Sequence, residues 1–177
     1  MTGRGVAVVV CLLLAIAVCP LLAQAPPAAP GPEVQRLGFF AGTWKIAGEF
    51  KTEPAGPYTG TIACEWFEGG FVMVCKGSYT GVRGPASEMH IFSYSPQDKA
   101  YNWYSLGTAG AARTVRKMTV DGKKWVCEND GTYEGKPARY RFEWLEESPT
   151  SFTYGYARTV EGGAPVPIVQ VKMTKAK

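Results

Sequence analysis

Few residues of this 177-residue chain could do chemistry, and their spacing limits what that chemistry is. His90 is the only histidine. It lies in Glu88-Met89-His90-Ile91-Phe92, an alternating stretch that reads as mid-strand. A Ser-His-Asp triad would need His90 as its base, and neither a nucleophile elbow nor an oxyanion loop accompanies it. No histidine and cysteine cluster has metal-ligand spacing. Asp98, Asp121 and Asp130 fall in turn-like sequence, where short acidic side chains bond their own backbone rather than form a calcium set. Tyr101, Trp103 and Tyr104 could stack against a sugar or a flat ligand. Ordinary strand packing explains them too, with Trp103 in the core and Tyr104 at the surface. The residue types therefore favour non-covalent binding over catalysis. No catalytic residue, metal or cofactor is assigned.

The cysteines carry a second chemical question. Cys11 and Cys19 sit in an apolar leader, which leaves Cys64, Cys75 and Cys127. With Gly69-Gly70 as a two-residue hairpin turn, Cys64 and Cys75 face each other. If Glu68 and Phe71 close the turn, this is a hydrogen-bonded pair with a Cα separation of about 5.5 Å, within disulfide range, although side chains diverge there. A disulfide and two buried thiols both fit. Cys127 reads as an inert core residue.

These residues must be positioned by strands. Residues 1–23 read as a signal peptide: Arg4 is basic, Val6–Val18 is apolar, Pro20 breaks the run, and Ala23 suits cleavage. An uncleaved anchor is the competing reading, because the run approaches the roughly 18–20 residues of a membrane span. Residues 24–32, rich in proline and alanine, read as a linker. Residues 33–177 suit one domain with a real core, the whole chain being 46% hydrophobic. Without Arg4, 18 basic and 15 acidic residues remain, a balance too mild and mixed for nucleic acid. Arg113, Arg116, Lys117, Lys123 and Lys124 cluster in sequence and read as a solvated hairpin edge.

Glu33–Ala41 has the spacing of a short amphipathic helix stopped by Gly42. About ten short alternating segments follow, with a turn signal every dozen or so residues, which predicts an antiparallel barrel or sandwich. Expected strands are Thr43–Lys51, Thr59–Glu68, Phe71–Thr80, Ser87–Ser95, Lys99–Leu106, Ala111–Val120, Lys123–Asn129, Lys136–Leu145, Ser151–Thr159 and Val166–Lys175. Asp121-Gly122 is a type I′ turn signal. Tyr140, Phe142 and Trp144 share one face, and Phe152, Tyr154 and Tyr156 continue it. In a barrel that size these rings either pack the lumen solid or line a cavity.

The motifs together resemble the bacterial family known as domain of unknown function 1579, among the lipocalin-like (calycin) barrels. The matching pieces are Leu37…Gly42-Thr43-Trp44, Gly69-Gly70-Phe71, Tyr94…Lys99-Ala100-Tyr101 with Trp103, Asp121–Trp125, Arg139–Trp144 and Met173-Thr174-Lys175. The chain departs from the family pattern at Ser93-Tyr94-Ser95 and Tyr104, and has Lys175 where a closing arginine is usual. The resemblance implies an antiparallel lipocalin-like β-barrel of about ten strands with a short N-terminal helix. It also implies that a late basic residue, here Lys175, covers Trp44 and seals one end by cation–π contact. It brings no established activity.

The expected function is an exported barrel, periplasmic or secreted, binding a small apolar molecule. Lumen candidates are His90, Tyr140, Phe142, Trp144, Phe152, Tyr154 and Tyr156. A solid-cored structural or interaction module of the envelope is the alternative. Haem binding or weak enzymatic activity at His90 is the third, although haem-binding nitrobindin-type barrels place their ligand histidine late in the chain. No nucleic-acid partner and, after cleavage, no membrane span are expected.

Overall fold

A computed structural model describes residues 29–108 and 113–176. The signal-peptide reading and residues 24–28 of the linker lie outside the described residues. Among these residues ten antiparallel strands form a closed barrel. They are β1 (Gly42–Phe50), β2 (Gly56–Trp66), β3 (Val72–Gly81), β4 (Gly84–Ser95), β5 (Ala100–Gly107), β6 (Arg113–Asp121), β7 (Lys124–Tyr133), β8 (Lys136–Ser148), β9 (Ser151–Val160) and β10 (Val166–Lys175). Each strand pairs with its sequence neighbours, and β10 pairs back onto β1. Closure leaves no unpaired sheet edge.

Alternation places every second side chain inside. Trp44 and Ile46, Met73 and Cys75, Trp125 and Cys127, Phe142 and Trp144, and Val171 and Met173 are all buried. Their strand neighbours Lys45, Lys76, Glu128, Leu145 and Lys172 are exposed. Outside, ion pairs such as Lys117–Asp98 and Lys172–Glu147 decorate the sheet. Exposed pairs of this kind contribute little to stability.

The expected single helix over 33–41 is two pieces. One α-helical turn, α1 (Pro32–Gln35), leads into a 3₁₀ segment (Arg36–Phe40). Pro32 belongs to the helix rather than the linker, with its fixed φ suited to the first helical turn. The tighter winding eclipses residues three apart, so Leu37 and Phe40 both point into the barrel, 0% and 3% exposed. The Trp44 indole Nε1 donates to the Phe40 carbonyl at 2.7 Å. Phe40 stacks on Phe92, with centroids 4.8 Å apart. Arg36 pairs with Glu146, which also accepts from Trp125 Nε1 at 2.6 Å. Tyr101 OH donates to the Glu33 carbonyl at 3.0 Å. Trp44 and Lys175 are register partners, and Lys175 Nζ lies 5.1 Å from the Trp44 ring. One end of the barrel is thereby sealed.

Three turns differ from the expected ones. The β2–β3 connection spans Glu68–Phe71, with Phe67 N donating to Val72 O at 2.8 Å and Gly69 and Gly70 at positive φ. Cys64 still faces Cys75. However, a hydrogen-bonded Phe67/Val72 pair makes Cys64/Cys75 a non-hydrogen-bonded one, where side chains lie closer. Their Cα atoms are 3.9 Å apart, and a disulfide joins them. The β6–β7 turn is Gly122-Lys123, one residue later than expected, because Asp121 pairs with Lys124. Finally, β7 runs on to Tyr133, ending at Glu134-Gly135, both at positive φ. Asp130 is therefore a strand residue paired with Arg139, not a turn residue.

Replacing Phe40 by alanine should destabilise the fold by about 3–5 kcal/mol in urea unfolding, since a ring is lost from a closed core. Phe67→Ala, at a 62% exposed site, should change stability by no more than about 0.5 kcal/mol.

Candidate functional site

The unsealed end is framed by the end of β1, the β3–β4 turn and the ends of β7 and β9. From it a cavity of about 370 Å³ leads inward, bounded by Phe50, Arg83, Ser105, Tyr156 and Val169. Deeper lies a second cavity of about 60 Å³, floored by Phe40, Trp44, Phe152 and Met173 and walled by Ile62 and Trp144. Tyr58, Tyr79, Glu88, His90, Trp103 and Tyr154 border both volumes, so they form the neck between them. The inner volume exceeds the roughly 10–15 Å³ that a water requires, and its floor is apolar.

The neck is a hydrogen-bonded collar across β2, β3, β4 and β5. Trp103 Nε1 donates to His90 Nδ1 at 3.1 Å. Since Nδ1 accepts, the imidazole proton is assigned to Nε2, which faces Glu88 Oε2 at 3.2 Å. From the other side Tyr79 donates to Glu88, and Tyr58 donates to Tyr79. Burial pushes both phenols well above the ordinary tyrosine range, and the nearby Glu88 charge adds to the effect. Both tyrosines therefore remain donors at neutral pH.

The expected lumen residues separate by depth. Trp144 and Phe152 line the inner cavity, Tyr156 the outer one, and Tyr154 and His90 both. Tyr140 borders neither; its hydroxyl donates to the Thr132 carbonyl at 3.0 Å. Phe142 is buried but covered by Tyr156, with centroids 5.2 Å apart, and by Trp103. Cys64 and Cys75 lie in the inner wall. His90 has both ring nitrogens engaged, so the residues present do not fit ligation of a haem iron by this side chain. Among the described residues no group of three or more His, Cys, Asp or Glu could hold a metal ion. Within them, no helix is long and apolar enough to cross a membrane.

Two features escape the sequence reading. Arg116, expected on a solvated edge, is 8% exposed. Its guanidinium lies 4.8 Å from the Trp103 centroid and 4.4 Å from that of Phe142. Lys117 and Lys124 do lie outside, paired with Asp98 and Glu143. The signal was parity: Arg116 and buried Met118 share a face, while Lys117 takes the other. The collar members Tyr58, Tyr79 and Glu88 are the second feature. Glu88 is two residues from His90 and so on its face. Tyr58 and Tyr79 alternate with Gly60 and Gly77, which dilutes the apolar face of their strands.

No protein-family model and no curated protein matches the chain. Among solved structures, Rv2717c from M. tuberculosis aligns with a TM-score of 0.58 at 13% identity, covering 83% of this chain and 99% of that one. The S-type phycobiliprotein lyase CPES from Guillardia theta aligns with a TM-score of 0.52 at 10% identity, covering 81% and 92%. At these identities the likeness shows the fold alone. That fold is a closed, lipocalin-like antiparallel β-barrel.

Burial raises the Cys127 thiol from 9.0 to about 11. The unfolded chain therefore loses this proton first, and stability should fall as pH rises from 9 towards 11. Tyr58 and Tyr79 steepen the fall where unfolded tyrosines ionise, above about pH 10. Urea midpoints measured from pH 8 to 11 check this; Cys127→Ala should flatten the fall just above pH 9.

Proposed function

We propose that this barrel binds one small, largely apolar molecule in its lumen, admitted through the end opposite Trp44. The observation that carries this reading is a pair of cavities sharing six lining residues, stacked between the mouth and the floor of Phe40, Trp44, Phe152 and Met173. The outer volume of about 370 Å³ falls within the roughly 300–1,000 Å³ of small-molecule sites. The lining is aromatic and apolar, with a few polar groups gathered at one depth, the arrangement that orients a ligand without reacting with it. Trp44, under Lys175, acts as floor and plug.

The reading extends to an exported protein of the family of domain 1579. The apolar run Val6–Val18, the motifs around Trp44 and Trp103, and a disulfide suited to an oxidising compartment support that extension. An interaction role has its own supporting observation. Trp66, Phe67 and Phe71 are exposed around the β2–β3 turn, at the sealed end, where they would not compete with the mouth.

Titration with the fluorescent apolar probe N-phenyl-1-naphthylamine should give saturable one-to-one binding. Ile62→Phe, which fills the inner cavity, should weaken it by about tenfold or more. Phe67→Ala should leave it unchanged. Binding that does not saturate, or that Ile62→Phe leaves intact, would contradict the reading.

A further inference from the structure

We propose that the outer wall of β2–β5 is the face by which two copies of this chain form a twofold dimer. The proposal is independent of the lumen reading, because this wall lies outside the barrel and its contact leaves the mouth clear. Three observations carry it.

First, the outer surface of the barrel is divided. Over β7–β10 it is laced with ion pairs, among them Lys124–Glu143, Arg139–Asp130 and Lys172–Glu147. Over β3–β5 the outward positions carry Val72, Val74, Met89, Ile91 and Tyr104 instead, alternating with buried Met73, Cys75, Phe92 and Trp103. Register sets Val74, Ile91 and Tyr104 side by side on three neighbouring strands. The four aliphatic side chains are half-buried, and Tyr104 is 40% exposed. A shallow groove of about 610 Å³ runs along Val72, Val74, Met89 and Ile91. A contiguous apolar patch on an otherwise charged surface marks an interaction site.

Second, the patch carries one charge of each sign. Glu65 and Lys76 border the same groove. They are the only charged residues at the outward positions of β2–β5, and both are exposed. Among the described residues neither is ion-paired. Lys76 pairs in register with Ala63, and Glu65 with Val74, so the two charges are diagonal neighbours on adjacent strands.

Third, the pattern complements itself. Strands lie about 4.8 Å apart, and alternate residues about 6.8 Å apart along each. On that grid a twofold axis in the contact plane, running between Val74 and Ile91, sets Lys76 of each copy against Glu65 of the other. The same axis sets Met89 opposite Val72, so aliphatic side chains meet beside the charges. A twofold contact requires a patch that matches itself in this way. A bilayer would desolvate both charges, and a partner of one sign would satisfy one and oppose the other. A second copy satisfies both.

Sedimentation velocity on the protein as its host produces it, from about 1 to 100 μM, tests this. Monomer and dimer should exchange within that range. Lys76→Glu and Glu65→Lys each set like charges together and should each raise the dimer Kd about tenfold or more. The double variant, Lys76→Glu with Glu65→Lys, should return it to within about threefold of the native value. Both sites are exposed, so the variants should fold as the native chain does. A monomer throughout the range would overturn the proposal, whether the wall is then bare or covered by lipid, another protein or another part of the chain. A dimer that neither single reversal weakens, or that the double reversal fails to restore, would overturn it too.

Discussion

The indole of Trp44 bonded to the Phe40 carbonyl is the contact on which the rest depends. A closed barrel has two ends, and nothing in strand pairing distinguishes them. The 3₁₀ segment breaks that equivalence by driving Leu37 and Phe40 into one end. Trp44 then fixes the segment to β1, the Arg36–Glu146 pair fixes it to β8, and Tyr101 fixes the preceding α1 turn to β5. Once this end is filled, the free volume lies at the other. The same plug forms the floor of the inner cavity, so folding and site formation share residues.

Above the floor the interior changes character at one depth. Below the collar Ile62 and Trp144 form the walls, and Phe152 and Met173 belong to the floor. At the collar a carboxylate, an imidazole, an indole N–H and two phenols satisfy one another. Buried polar groups are costly unless partnered, and a hydrogen-bonded network is rigid. The collar can therefore border an apolar cavity without collapsing it.

Much of the architecture was legible because barrel closure leaves few choices. Alternation of Tyr140, Phe142 and Trp144 against Arg139, Arg141 and Glu143 placed the core. A closing strand ending at Lys175 had to meet the one beginning near Trp44. What was illegible was local phase. Gly69-Gly70 serves a two-residue or a longer turn equally well, and only the observed Phe67–Val72 bond sets the Cys64–Cys75 pair. The site was harder. Arg116 stands in a basic run whose composition says solvent, while its parity says interior. Tyr58 and Tyr79 alternate with glycines needed for close strand approach, so their strands lack a continuous apolar face. Phe142 shows the converse: inward pointing is not the same as cavity lining, because Trp103 and Tyr156 cover it.

The central claim is that a ligand enters at the mouth and reaches the collar. The indole N–H resonances of the protein's five tryptophans report this directly. Trp103 and Trp144 border the cavities, Trp125 is buried at the sealed end, and Trp66 is 37% exposed outside. On saturation with N-phenyl-1-naphthylamine, Trp103 and Trp144 should shift while Trp125 and Trp66 stay in place. A shift confined to Trp66, with Trp103 and Trp144 unmoved, would place the ligand on the outer surface and contradict the account.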